Sequence, residues 1–396
     1  MKKLTDQITF RNGSTITNRI LQSPMLTNSG LDEMVTQDTI DYYTAHSQSA
    51  GVVVVEYTSV SPNGSPSRSW ARDREQLAIY DDKFVPGLTQ VAQGLKKDGN
   101  KALLQLVHSG REANYRAELG GRVEVPSQMD FSWLKYPVYE LKEDEVWQII
   151  KDFGTATKRA IDCGFDGVEI HGANHYLIQE FFSAFSNHRT DYFGGSLEKR
   201  MNFPIEVSRE IFRVVKEYAP KDFIVGYRIS PEEIHGENVG YTWHESQQLV
   251  AKLTELFDFD YVHLSTLDYK ALPETKDSDK TIAELMGEAI KAPTLEVVTG
   301  GITTYEQMLE CLEHADIVGL GRMTLMDAKI GYKIEHGLQD QIKTFFTEEG
   351  LKEGKVTIGT IETLAGIVKM LGLDTPGSDV LLKLAGENLD SSVIHG

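Results

Sequence analysis

The stretch Glu143-Asp-Glu-Val-Trp-Gln-Ile-Ile-Lys-Asp-Phe-Gly-Thr-Ala-Thr-Lys-Arg-Ala-Ile-Asp162, followed at once by Asp166-Gly-Val-Glu-Ile-His171 and then Gly172-Ala-Asn-His-Tyr176, decides the fold. It reads as a long helix-period segment, a short apolar run and a polar turn. The same unit recurs in both directions along the chain. Apolar runs lie at Ile20–Gln22, Val52–Val55, Ala102–Val107, Gly167–His171, Phe223–Ile229, Tyr261–Ser265, Glu296–Thr299 and Asp316–Leu320. Helical patterns lie between them, at Thr39–Ser49, Phe84–Lys97, Glu143–Asp162, Leu197–Tyr218, Trp243–Phe257 and Tyr305–His314. Strands that alternate with helices make parallel βαβ units. Eight of them predict an α/β fold of the closed (β/α)8 TIM-barrel type rather than an open sheet.

Local signals fit this reading. Thr242-x-x-Glu245 and Thr303-x-x-Glu306 read as capping boxes at helix starts. Ile8–Ile16, with Asn12-Gly13 at its centre, reads as an N-terminal hairpin closed by a type I′ turn, set to cover the barrel's N-terminal end. The long loop from His108 to about Leu141, with Trp133, Tyr136 and Tyr139, follows a strand and so belongs to the face where barrels hold their sites. The barrel is expected over residues 1–344, and 345–396 as a mostly helical C-terminal extension without evident chemistry.

The net charge of −19 argues against nucleic acid or an anionic membrane surface as partner, since both require clustered Lys and Arg. No apolar run approaches the length of a membrane span, and the N-terminus lacks the apolar stretch of a signal peptide. The two cysteines, Cys163 and Cys311, form no CxxC, which excludes a cysteine-ligated iron–sulfur cluster or zinc ribbon; no metal centre is expected. A cytoplasmic enzyme with a small-molecule substrate is the expectation, and large barrels with extra helices are compatible with a homo-oligomer.

Three groups of residues could do chemistry. Val297-Val-Thr-Gly300-Gly301 and Val318-Gly-Leu-Gly321-Arg322 end the seventh and eighth strands, where backbone N–H groups and a guanidinium can receive a phosphate. The alternative is that the glycines simply make tight turns. His171 and Asn174, three apart on a turn, can aim two N–H donors at one carbonyl oxygen, each worth roughly 3 kcal/mol where charge develops. HxxN by itself is more often a satisfied polar turn. Tyr176 beside them can donate a proton without first being charged. Gln105 and Arg228 stand at the ends of apolar strands and need partners, either structural carboxylates or a polar, electron-rich ring.

These residues belong to a larger pattern. Asn18–Met25, Gln105-Leu-Val-His-Ser-Gly-Arg111, Glu169-Ile-His-Gly-Ala-Asn174 with Tyr176, Ser186–Asp191 with Gly194–Ser196, Tyr227-Arg-Ile-Ser230, Thr299–Gly301 and Asp316–Arg322 stand in order over roughly residues 8 to 342. Together they resemble the old yellow enzyme, or NADH:flavin oxidoreductase, family. The resemblance implies non-covalent FMN in the barrel mouth and NADH or NADPH as reductant. By that match Gly301, Gly321 and Arg322 take the phosphate, Gln105 the pyrimidine edge and Arg228 the N1–O2 edge, while Pro24, Met25, Leu26 and Tyr57 flank the ring. His171 and Asn174 hold the substrate oxygen and Tyr176 is the proton donor, so that an activated alkene is reduced. A flavin NADH oxidase, a demethylating amine dehydrogenase and a non-catalytic FMN- or phosphate-binding barrel are the alternatives. The chain departs from the family pattern at Leu26, usually Cys or Thr, at Tyr57, usually small, and at His175, usually Gly.

Overall fold

In the computed structural model, which describes residues 2–64, 68, 71, 73–372 and 375–386, eight parallel strands close into one barrel. They are β1 (Ile20–Gln22), β2 (Val52–Ser59), β3 (Lys101–Val107), β4 (Gly167–Gly172), β5 (Ile224–Ile229), β6 (Tyr261–Ser265), β7 (Leu295–Thr299) and β8 (Ile317–Leu320). Each pairs with its sequence neighbours, and β8 pairs with β1 through Val318↔Ile20 to close the ring. A short strand, Leu77–Ala78, adds to the end of β2.

Burial on both faces explains the strand sequences. All eight residues of β2 are buried, and its Val-Val-Val-Val start suits a strand with a core on one side and helices on the other. The outer layer is built from amphipathic helices. Glu143–Asp162 opens with three acids, as the positive end of the helix dipole favours, and buries Val146, Ile149, Ile150, Phe153, Ala156 and Ala160 at helical spacing. It ends where Gly164 takes φ +83°.

The N-terminal hairpin, Ile8–Thr9 paired with Thr15–Ile16, plugs the lower end of the barrel. Ile8, Phe10 and Ile16 pack with Leu21, Val52, Val54, Leu103, Ile224, Tyr261, Val297 and Ile317, which come from seven of the eight strands. Its turn differs from expectation. Gly13 alone has positive φ, the Gly13 N–H bonds the Phe10 carbonyl, and the Phe10 N–H bonds the Ser14 carbonyl. This is a three-residue loop with glycine as the left-handed bulge residue, so the Asn-Gly pair is displaced by one position from the centre of a two-residue turn. The capping box expected at Thr303 is likewise one residue on. Thr304 caps the helix Tyr305–His314 with Gln307, because the hydroxyl must reach the N–H three residues ahead. The segment expected as one helix over Leu197–Tyr218 is a short turn, Leu197–Arg200, and a helix, Asn202–Tyr218.

The 108–141 loop carries a small core of its own, formed by Ala113, Val123, Val125, Phe131 and Val138. The C-terminal extension is helical, with Glu348–Glu353, Ile358–Leu371 and Ser378–Ala385; its residues from 387 onward lie outside the described part. It packs on the barrel mouth. Thr357 and Thr360 donate to the Thr27 carbonyl, and the Asn28 amide donates to Thr363. Among the described residues no helix is long and apolar enough to cross a membrane.

Candidate active site

The C-terminal strand ends converge on a polar layer. Gln105, Glu169, Arg228, His171 and His263 stand in register across β3, β4, β5 and β6. Gln105 Nε2 donates to Glu169 at 2.7 Å, and the other oxygen of Glu169 accepts from Tyr261 and from His263 Nδ1, both at 2.9 Å. His263 Nε2 then meets Thr299 Oγ1 at 2.8 Å, and Ser23 closes the chain at 3.0 Å from Thr299. Burial alone would raise the Glu169 carboxyl, but His263, Arg228 and the Tyr261 hydroxyl bring it below its ordinary value. Burial holds His263 below its own, against the pull of Glu169. The amide nitrogen of Gln105 therefore meets a structural carboxylate, and its amide oxygen is left for a ring.

Arg228 rises from this layer. Its Nη2 donates to Ser265 Oγ at 3.0 Å, while its buried Nε has no partner. Ser265 in turn donates to Asn174 Oδ1 at 3.2 Å. That contact ties the turn after β4 to the end of β6. It also occupies the amide oxygen of Asn174 and leaves its NH2 free to donate elsewhere.

Asn174 and His175 both adopt left-handed backbone, φ +56° and +64°, which makes the sharp turn between β4 and the helix Leu177–Phe182. Each such non-glycine residue costs of order 1–3 kcal/mol and persists only where surroundings enforce it. Here Ser230 accepts the Asn174 N–H and Gln179 accepts the His175 N–H. His171 Nδ1 accepts the Ala173 N–H at 3.3 Å. Its pKa lies well below the ordinary value, through burial first and then Arg228 and His263. The ring is therefore neutral, with its proton on Nε2. Tyr176 packs edge-on against His171, with ring centroids 4.8 Å apart, and against Tyr57 at 5.0 Å. Burial, then Tyr57, raises the Tyr176 hydroxyl well above its ordinary value, and the two tyrosines are hydrogen-bonded. Leu26 packs on this pair. Pro24, Met25 and Leu26 follow β1 and are half-buried.

The corner after β7 and β8 is shaped by close approach. A Cβ at Gly300, φ +146°, would lie 2.8 Å from the Thr266 carbonyl oxygen and the Asp268 nitrogen. One at Gly321 would lie 2.9 Å from Met25 Sδ, and Gly301 takes φ +63°. Arg322 is held by Thr375 of the C-terminal extension and has no carboxylate within ion-pair distance among the described residues. A partly buried guanidinium without an anion, beside glycines that bare their backbone, fits a phosphate. The unpartnered Arg228 Nε fits the electron-rich edge of a flavin.

Sequence reasoning missed Glu169 as the hub of the polar layer, together with His263, Ser23, Ser265 and Thr375. The first two carried a signal: charged or imidazole side chains inside apolar strands, at the same layer as Gln105 and Arg228.

The comparisons with known proteins give the family. Residues 3–341 match the model of the NADH:flavin oxidoreductase / NADH oxidase family. A probable NADH-dependent flavin oxidoreductase of Bacillus subtilis (strain 168) is 37% identical over 347 residues, covering 87% of this chain and 90% of that protein. An NADH:acrylate oxidoreductase of Vibrio harveyi is 36% identical over 338 residues, 83% of this chain but 32% of that longer protein. The old yellow enzyme homologue from Zymomonas mobilis superposes with a TM-score of 0.73 at 23% identity, over 89% of this chain and 99% of that one. The chain belongs to the NADH:flavin oxidoreductase / NADH oxidase family and is an FMN- and NAD(P)H-dependent oxidoreductase of the old yellow enzyme type.

Proposed function

We propose that the chain reduces activated alkenes, α,β-unsaturated carbonyl or nitro compounds, with NADH or NADPH as the source of electrons. FMN, when bound, supplies hydride chemistry between the nicotinamide and the alkene. Gly301, Gly321 and Arg322 would hold its phosphate, Gln105 and Arg228 the polar edge of its ring, and Pro24, Met25, Leu26 and Tyr57 its flanks.

One observation carries the reading: His171 is neutral with its remaining N–H directed by the Ala173 contact, and the Asn174 amide has its oxygen occupied and its NH2 free. Two neutral donors on one oxygen draw electron density from a conjugated double bond without binding an anion so tightly that product is retained. Tyr176 keeps its proton at neutral pH and stands against His171, where it can protonate the α-carbon. The Vibrio relative's acrylate makes unsaturated carboxylates reasonable compounds to include in a screen.

The test is anaerobic mixing of the NADH-reduced enzyme with cyclohexenone, a nitroalkene or acrylate, against mixing with oxygen. Reoxidation by at least one alkene well above the oxygen rate is expected. Reoxidation by oxygen at an equal or greater rate than by every alkene would make the chain an NADH oxidase instead.

A further inference from the structure

His175, which replaces the family's usual glycine, stands outside the alkene chemistry. Its ring faces a hairpin beyond β5, formed by the strands Glu233–His235 and Asn238–Tyr241. One ligand atom each from His175, Glu233 and His235 lie within 4.8 Å of one another, and the two imidazole centroids are 5.1 Å apart. We propose that these three side chains bind a divalent transition metal of the zinc type, with the remaining positions left to water.

The chemistry of the donor set points there. Two imidazoles and one carboxylate make a borderline set that suits zinc, cobalt or nickel, whereas magnesium and calcium require mostly oxygen. Glu233 is buried and, among the described residues, has no Lys or Arg within ion-pair distance. Its oxygens are held instead by neutral donors, Ser183 Oγ at 3.0 Å and Gln179 Nε2 at 2.9 Å. A buried carboxylate oriented by neutral hydrogen bonds and lacking a counter-charge is the arrangement a metal ion completes. Gln179 also donates to His175 Nδ1 at 3.1 Å while accepting the His175 N–H at 3.0 Å. One amide thus sets the positions of two of the three ligands. A metal taking His175 Nδ1 displaces a single neutral contact and leaves Gln179 on Glu233. His235 is exposed, so the third ligand can close from solvent.

The experiment uses FMN-loaded enzyme without a polyhistidine tag. Zinc is measured by equilibrium dialysis, and cobalt by the visible bands it gives in a low-coordinate nitrogen–oxygen site, read as a difference spectrum against the flavin. One equivalent of zinc is expected, with affinity falling about tenfold or more in His235→Ala, and with excess magnesium unable to displace it. Because His235 is exposed, that variant keeps its fold, which unchanged FMN content verifies; Glu233→Gln is the second variant and should lose the cobalt bands. Absence of zinc binding in the parent enzyme, or binding in both variants equal to the parent's, overturns the site. Displacement by magnesium would overturn the ligand set by showing an oxygen-rich site elsewhere.

Discussion

At the scale of single residues, the hydroxyl of Tyr176 shows how position sets chemistry. It is buried, hydrogen-bonded to Tyr57 and raised above its ordinary pKa, so it remains a phenol over the working range of pH. Tyr176→Phe should slow reoxidation by an alkene by about 10²–10⁴-fold while flavin reduction by NADH stays near the parent rate, measured as separate half-reactions by stopped flow. Equal slowing of both halves would remove the proton-donor role. Glu56 offers a test of a different kind. Burial raises its carboxyl to about 8, against hydrogen bonds from the Thr27 N–H and hydroxyl. A carboxyl raised on folding contributes stability that is complete below its unfolded pKa and lost as pH rises through about 8. Glu56→Gln should therefore gain in Tm relative to the parent on going from about pH 6 to about pH 9; a gap that stays constant would show that Glu56 is ionised throughout. Of these residues only Tyr176 was legible in the sequence. Glu56 sits in an apolar strand as one acid among four valines, and nothing in that pattern says whether it is charged. Its state depends on Thr27 and Tyr43, which the fold brings from other elements.

At the scale of elements, all eight strands and the helices Glu143–Asp162 and Tyr305–His314 could be read directly, because apolar period changes sharply at their ends. Ends set by one hydrogen bond could not. Thr303 and Thr304 are adjacent hydroxyls, and only the geometry of the turn selects the second as cap. The C-terminal extension was legible as helical but not in its role, since its partners lie more than 300 residues away at Thr27 and Asn28. Its contact with Arg322 links it to the proposed phosphate corner. Thr375→Val removes the hydroxyl that accepts from Arg322 while keeping the side chain's volume. The guanidinium should then sample more orientations, and FMN affinity should fall by several-fold, the equivalent of about 1 kcal/mol. Fluorescence titration of the apoprotein reads this directly. An unchanged affinity would mean that the glycines orient the phosphate without the extension's help.

At the scale of the whole molecule, a net charge of −19 surrounds a mouth that holds Arg228 and Arg322. The global field repels anions, and the two arginines do little to offset it once FMN occupies them. Screening weakens that repulsion, because the long-range part is the first to vanish as the Debye length shrinks. Raising ionic strength from about 0.02 M to about 0.2 M should increase kcat/KM for NADH by several-fold. The same change should leave kcat/KM for a neutral enone unaltered, which controls for effects of salt on the fold. Acrylate, an anion, should follow NADH if it is reduced at all. The opposite trend, a fall for NADH with added salt, would mean that local positive charge at the mouth outweighs the global field on approach. In that case the acidity of the surface would matter for solubility and not for catalysis.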